Sequence, residues 1–443
     1  MEVSFQEILD ARERRVVRQQ TLLAKHPVPL LCFTMNIAGP EKNNPLISAG
    51  FQMGLELLDA QLASDRIPVL ERQVFQENTG CEAFYSVMIP AEQLKRLAVQ
   101  IEDHTPAGRL YDMDVLTKEG KKISRESLDL PGRTCLICGG PVHICSRSRA
   151  HTVEKLQEVT ATLLQNALWQ KKAETIGALA IKSLLFEVCT TPKPGLVDRR
   201  NNGSHKDMDI FTFMGSCAAL MPYFTACAFT GLQGTSDDPK TVFEKLRFLG
   251  KQAEQTMFAA TKGVNTHKGA IFTLGLLCAA AGKSGNTNAA DICAQVAAMT
   301  EGITNRNDIP EEGRTAGERL YSRYGITGIR GQAESGLPVL LEVGLPRFNQ
   351  GLARGLSLEE AGSAVLLHLM CAVTDTNLIA RSDLATQQAV CNKVRRILAA
   401  EPFPTQDTLE KLDAEFTQEN LSPGGSADLL AATYFLHFYQ TDL

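Results

Sequence analysis

The stretch EKLQEVTATLLQNALWQKKAETIGALAIKSLLFEVCTT, from Glu154 to Thr191, reads as long helical material and marks a change of texture in the chain. Before it, helical and strand-like runs alternate. After it, alanine-rich helical runs follow one another and β-branched alternation is scarce. Alanine combines high helix propensity with a small side chain, so it suits closely packed helices.

Working upstream, LDARERRVVRQQTLLAKH reads as an amphipathic helix and PLLCFTMNI as a strand, and PLISAGFQMGLELLDAQLAS gives a loop and a helix. CEAFYSVMI is strand-like, AEQLKRLAVQIEDH helical, and RLYDMDVLTKEGKKIS a strand, a turn and a return strand. Downstream, PKTVFEKLRFLGKQAEQTMFAAT, AIFTLGLLCAAAG, ADICAQVAAMTEGI, SLEEAGSAVLLHLMCAV and DLLAATYFLHFYQ are helical. The expectation is an N-terminal α/β or α+β domain over residues 1–165, followed by a mainly all-α domain over residues 170–443. The junction falls within 150–175 without a Gly/Ser linker, and no fixed-period repeat stands out.

A chain of 443 residues has room for two or three domains, and large ones bring the number down to two. The formal charge of −5, with no long basic tail, gives no general nucleic-acid signal. MEVSFQEILDARERR carries acids and no apolar core, so no cleaved signal peptide is expected. Alanine-rich spans such as AIFTLGLLCAAAG are too short or interrupted to cross a bilayer, and a cytoplasmic enzyme is the expectation. Of the 12 cysteines, Cys217, Cys227, Cys278, Cys293 and Cys371 lie in apolar runs and read as small buried hydrophobes.

Five polar islands interrupt the helical half. The first, KPGLVDRRNNGSHKDMDIFTF (193–213), places Asp198, His205, Lys206, Asp207 and Asp209 after Pro192, Pro194 and Gly195 have stopped the Glu187 helix. GVNTHKGAIF (263–272) sets His267, Lys268 and Gly269 just before a helix, whose free N–H groups suit a phosphate. TGIRGQAESG holds Arg330 and Glu334; TDTNLIARSD holds Asp375, Asn377 and Arg381; NLSPGGSADLLA holds Ser422, Gly424, Gly425 and Asp428. Any one island also reads as a solvated loop with helix caps. Together they combine small residues, cations and carboxylates at helix boundaries. Cations would grip phosphates, while Asp or Glu would hold magnesium or accept a proton. No P-loop or dinucleotide fingerprint is present.

EVCTTPKPGLVDRRNNGSHKDMD, NTHKGAIF, GIRGQAESG, DTNLIAR and NLSPGGSADLLA, in this order, closely resemble the triphosphoribosyl-dephospho-CoA synthase family. The resemblance spans residues 170–443. It implies that ATP and 3′-dephospho-CoA give 2′-(5″-triphosphoribosyl)-3′-dephospho-CoA and adenine. On that reading His205, Lys206, His267, Lys268, Arg330, Arg381, Ser422, Gly424 and Gly425 are nucleotide- or phosphate-binding candidates. Asp207, Asp209 and Asp375 are candidates for catalysis, with Mg²⁺ expected at Asp207 and Asp209.

In the first half, GRLYDMDVLTKEG places Asp112 and Asp114 two residues apart, on one face of a strand, where they can share Mg²⁺ or form a solvated surface pair. Cys135, Cys138 and Cys145, with His143 and His151 nearby, could bind zinc tetrahedrally, although the lack of a second CxxC favours a turn or core role. GRLYDMDVL and RTCLICGGPVHICSRSRAH resemble the apo-citrate lyase phosphoribosyl-dephospho-CoA transferase family. That resemblance implies a nucleotidyltransferase-like domain. It would move the prosthetic group to a serine of the apo-acyl-carrier subunit and release diphosphate. Arg109, Arg133, Arg147 and Arg149 are then the charge-neutralising candidates. Two other readings stay open: a nucleotide-responsive scaffold that binds the carrier without modifying it, and an equivalent enzyme of malonate decarboxylase maturation.

Overall fold

The computed structural model describes residues 2–305 and 316–442. They divide into two compact units, Met1–Gln170 and Lys171–Leu443. The first is a mixed α/β unit and the second is almost entirely helical.

The first unit opens with α1 (Phe5–Lys25), capped by Ser4 and Glu7 in a reciprocal capping box. There follow β1 (Leu30–Met35), α2 (Pro45–Ser64), β2 (Val69–Glu77), β3 (Gly80–Val87), α3 (Ala91–His104), β4 (Tyr111–Leu116) and β5 (Lys122–Ile123). The strands form one sheet in the order β2-β3-β1-β4-β5, and every described pairing is antiparallel. Alternation decides the faces. Leu31 and Phe33 of β1 and Met113 and Val115 of β4 join Phe51 and Leu58 of α2 and Leu94 and Ile101 of α3 in the main core. Leu30, Cys32 and Phe84 point the other way and meet Leu22 of α1. Burying one such large apolar side chain contributes about 1.5–3 kcal/mol, so these contacts outweigh the exposed ion pairs around them. β2 was absent from the sequence reading. It is an edge strand, polar and largely exposed, so it lacks the apolar alternation that announces a strand. Arg14 and Arg18 of α1 bind its Glu77, and Arg15 and Arg18 bind Glu82 of β3.

Beyond β5 come α4 (Val142–Ser148) and the 37-residue α5 (Val153–Cys189), of which Leu164 and Ala167 belong to the first unit's core. The second unit continues with α6 (Ile210–Gln233), α7 (Pro239–Ala260), α8 (Lys268–Ser284), α9 (Ala289–Thr300), α10 (Ala316–Tyr324) and α11 (Gly328–Glu334). It ends with α12 (Leu345–Ala353), α13 (Leu358–Ala372), α14 (Thr376–Arg381), α15 (Leu384–Ala400), α16 (Gln406–Gln418) and α17 (Gly424–Thr441). α8 and α17 are buried along most of their lengths. Phe348, Tyr434 and Phe438 make edge and stacked contacts around α17. Cys217, Cys227, Cys278 and Cys293 are buried as expected, whereas Cys371 is only half-buried. Among the described residues, α6 is the one helix long and apolar enough to cross a membrane, with a mean hydropathy of 1.4, and it packs against α7 and α8. The sequence reading weighed shorter spans and did not weigh this one.

Candidate active sites

A cavity of about 810 Å³ opens in the helical unit where the loop after α5 meets the starts of α8, α11, α14 and α17. The loop is folded by buried carboxylates. Asp198 accepts the backbone N–H groups of Lys193, Arg200 and Asn201 at 3.0, 2.7 and 3.1 Å. Asp413 accepts from Gly195 N at 3.0 Å and Asn201 Nδ2 at 2.8 Å. At Gly195 φ is +72°, and a Cβ would lie 2.2 Å from the Leu421 carbonyl oxygen, so only glycine fits this crossing.

The five islands converge on this cavity, but their residues take unequal places. Arg381 bonds His205 Nδ1 at 3.0 Å and donates to the Ser204 carbonyl at 3.1 Å, while His205 Nε2 lies 2.9 Å from Ser422 Oγ. Three islands are thereby tied into one wall. Burial and the Arg381 charge push the His205 ring down to about 4, so it is neutral near pH 7. Lys268, ion-paired to Glu254 at 2.8 Å, lines the cavity together with Arg330, Gly424 and Gly425. Asp207 lies at the rim, its carboxylate 4.0 Å from His205 and largely exposed. Lys206 is exposed and outside the lining.

Three candidates have their polar atoms engaged by neighbouring groups of the protein. Asp209 is the N-cap of α6, accepting Thr212 N at 2.8 Å and Thr212 Oγ1 at 2.7 Å. Asp375 is buried at the N-cap of α14. It accepts Asn377 N and Leu378 N and, from the start of α17, Gly425 N, Ser426 N and Ser426 Oγ. It clasps two helix starts together rather than lining the space between them. His267 does line the cavity, yet it is 2% exposed, with Nδ1 2.8 Å from Ser216 Oγ and Nε2 3.8 Å from Cys217 Sγ. Burial and the Lys193 charge hold it down at about 3. A neutral ring of this kind shapes the pocket and cannot hold a phosphate by charge.

Sequence reasoning passed over the most enclosed charges. Glu187 and Lys193 line the cavity as an ion pair, 5% and 2% exposed. Burial pushes the Glu187 carboxyl up, against the pull of Lys193. Asp428 was noted only as a member of its island. Its carboxylate rests on Gly269 at the start of α8, where a Cβ would lie 1.9 Å from Oδ2. Burial, reinforced by Glu187 and Asp375, raises its carboxyl well above the usual range. Phe213 stands edge-on to His267, with ring centroids 5.0 Å apart, and gives the cavity an aromatic wall. The GGSAD and HKG spellings were the signal for Asp428 and Gly269; nothing local distinguishes Glu187 in the apolar run SLLFEVC that ends α5.

The first unit holds a second cavity, of about 740 Å³, lined by Arg109, Arg125, Arg133 and Arg149 and by the segment from Pro131 to Leu136. Glu102, 2% exposed and unnoticed in the sequence, organises it. Its carboxylate takes Arg125, Arg133 Nη2 at 2.5 Å and the Met113 N–H at 2.8 Å. Arg133 also reaches the Tyr111 carbonyl at 3.0 Å and Asp112 at 3.1 Å. Arg109 donates to the Thr134 carbonyl at 2.6 Å. Asp112 and Asp114 share one face of β4, as their spacing requires, and Asp114 is paired with Lys122 at 2.6 Å. Burial, with the nearby Asp114 charge, raises the Asp112 carboxyl. Neither aspartate is among the residues that line the cavity; Arg133 connects Asp112 to it. Arg147 is exposed and lies outside the lining, as does His143, whereas His151 lines it.

The two units coincide with two known families. Residues 173–442 match the family model described as CitG, ATP:dephospho-CoA triphosphoribosyl transferase. Residues 3–167 match CitX, apo-citrate lyase phosphoribosyl-dephospho-CoA transferase. Protein CitXG of Haemophilus influenzae is 38% identical over 454 residues, covering 98% of this chain and 96% of that protein. The chain belongs to the CitXG family. Protein CitXG of Leuconostoc mesenteroides is 33% identical, covering 98% of this chain and 97% of its own length. A 2-(5″-triphosphoribosyl)-3′-dephosphocoenzyme-A synthase of Pectobacterium atrosepticum is 43% identical over 266 residues, 59% of this chain and 87% of its own. The chain is thus a CitX–CitG fusion and a bifunctional transferase, with triphosphoribosyl-dephospho-CoA synthase and prosthetic-group transferase functions. ATP and dephospho-CoA are the substrates that the CitG activity implies.

Proposed function

We propose that the two activities are divided between the units. The helical unit joins ATP to 3′-dephospho-CoA, and the α/β unit delivers the product to a serine of the apo-citrate lyase acyl-carrier subunit. The observation that carries this division is that each unit encloses its own cavity, with cations set against carboxylates. The Pectobacterium synthase, which matches 59% of this chain, supports it.

In the helical unit the 2′-hydroxyl of dephospho-CoA attacks C1′ of the ATP ribose. The C1′–N bond to adenine breaks and the triphosphate is retained. Lys268, Arg330 and Arg381 grip that triphosphate. Mg²⁺ enters with ATP as part of the substrate, and Asp207, a hard oxygen donor at the rim, is the protein ligand we assign to it. We assign the hydroxyl proton to Glu187, which is ion-paired with Lys193 in the cavity wall. Asp428, whose carboxyl burial raises well above the usual range, is the group we assign to give a proton to the departing adenine. Phe213 bounds the purine. We assign Asp209 and Asp375 to holding helix starts, and Lys206 and His267 to the surroundings of the site.

In the α/β unit the serine oxygen attacks the phosphorus nearest the ribose, and the bond to diphosphate breaks. Arg109, Arg133 and Arg149 neutralise the departing charge. Asp112 and Asp114 suit Mg²⁺ by donor type, as two hard oxygen donors on one face of β4. We place the reactions in the cytoplasm, where the 12 free cysteines stay reduced.

The test uses the full chain with ATP, dephospho-CoA, magnesium and apo-carrier. Free adenine, diphosphate and a carrier mass gain are expected. Asp428→Asn should slow adenine release about 10²–10⁴-fold yet still modify carrier when given preformed triphosphoribosyl-dephospho-CoA. Arg133→Ala should do the reverse. Loss of both steps in either variant, with the fold intact, would end the division of labour. The carrier of malonate decarboxylase serves as the comparison acceptor.

A further inference from the structure

Outside the reaction chemistry, the first unit gathers four soft donors at one point. Cys135, Cys138, Cys145 and His151, spaced C-x2-C-x6-C-x5-H, place one ligand atom each within 4.8 Å of one another. The first two sit on a tight turn. Cys135 N donates to the Gly140 carbonyl at 2.6 Å, Gly139 N to the Cys135 carbonyl at 3.1 Å, and Thr134 and Pro141 bridge across it. The Ile137 N–H points to Cys135 Sγ at 3.5 Å, leaving the sulfur lone pairs on the far side available. Cys145 comes from α4 and His151 from just before α5, so four donors converge from a turn, a short helix and the segment that follows it.

Two observations separate this cluster from a chance grouping. Cys138 Sγ and Cys145 Sγ are 3.4 Å apart, far beyond a disulfide bond of about 2.05 Å and close to the roughly 3.8 Å edge of a tetrahedron built on 2.3 Å zinc–sulfur bonds. The Nε2 atom of His151 is shielded from solvent and has no hydrogen-bond partner, a cost that a metal ligand would not incur.

We propose that Cys135, Cys138, Cys145 and His151 form a structural zinc site of the Cys3His type. Three thiolates and one neutral imidazole complete a tetrahedron and leave no open position, so the ion is not a catalyst. Zinc uptake displaces three protons, one from each thiol. The site holds the loop that follows Arg133 and precedes α5. Through that loop it fixes Arg133 and Arg149, and the Thr134 carbonyl that anchors Arg109, around the cavity. The claim stands whichever half-reaction this unit performs.

The full chain, purified with reductant and desalted, should carry one zinc per chain by elemental mass spectrometry. Cobalt exchanged for it should give thiolate-to-metal charge-transfer absorption and the visible bands of a tetrahedral ion. Cys138→Ser and His151→Ala should each lose most of the zinc, and His151→Ala should alter the cobalt spectrum. Chelation of the wild-type protein should remove the zinc and free three thiols to react. Folded, reduced wild-type protein that takes up neither zinc nor cobalt would overturn the proposal. So would a two-hydrogen mass deficit mapping to a Cys138–Cys145 disulfide in the reduced preparation, or unchanged metal content and cobalt spectrum in His151→Ala.

Discussion

Glu187 and Lys193 meet as an ion pair with almost no exposure to solvent, on either side of the bend where α5 ends and the first polar island begins. The pair joins the wall of a cavity to the loop that shapes it. Removing one partner leaves the other as an uncompensated buried charge, which costs roughly 3–5 kcal/mol. Glu187→Gln and Lys193→Met should each lower the thermal midpoint of the helical unit strongly. The double variant should recover much of that stability while remaining unable to release adenine. A double variant whose loss equals the sum of the two single losses would show that the pair is not energetically coupled.

Asp428 and Gly269 make a second dependent pair. Asp428→Asn should slow adenine release about 10²–10⁴-fold with little change in secondary structure, the loss typical of a positioned acid or base. Gly269→Ala introduces a Cβ 1.9 Å from the Asp428 carboxylate as it now lies. It should reproduce much of the same loss without touching an ionisable group. Normal rates in both variants would remove Asp428 from the chemistry.

In the other unit, Asp112→Asn should abolish carrier modification and leave adenine release intact. Glu102→Gln should weaken the same step by freeing Arg133 and Arg125, and should also destabilise the unit, because Glu102 is enclosed with both cations. Arg133→Lys keeps the charge but loses the fork that bonds Glu102, Asp112 and the Tyr111 carbonyl together, and partial activity is expected. Full carrier modification by Asp112→Asn at limiting magnesium would refute its role.

His267 makes stability depend on pH with a defined sign. Its folded pKa, about 3, lies below the ordinary 6.5, so between these values the unfolded chain binds a proton that the folded one does not. Its contribution is complete above about pH 6.5 and declines as pH falls toward 3, by at most about 1.4 kcal/mol per pH unit. Urea midpoints measured from about pH 7.5 down to 5 should therefore fall more steeply for the wild type than for His267→Asn. Parallel curves would mean that the ring titrates freely in the folded protein.

Much of this molecule was legible in the sequence because its signals are local. Periodicity over Glu154–Thr191 separated a mixed α/β half from a helical one, and the alternation in YDMDVL put Asp112 and Asp114 on one face of β4. The glycine-, proline- and cation-rich islands marked helix boundaries, and their order carried the family resemblance. Tertiary structure decided which of their residues face the same space. Asp209 and Asp375 have the same chemistry as Asp207 and Asp428, but Asp209 caps its own helix, and lone pairs of Asp375 are taken by N–H groups of α17 that only the packed chain brings near. Glu187 lies in an apolar run and Glu102 on an amphipathic helix among other charges, where the local pattern gives no cue to either, and their partners Lys193, Arg125 and Arg133 reach them through loop geometry. Histidine charge follows the same rule. Sequence supplies an imidazole of ordinary basicity, and burial beside Lys193 or Arg381 makes it neutral, because desolvation and neighbouring charge are properties of the assembled fold.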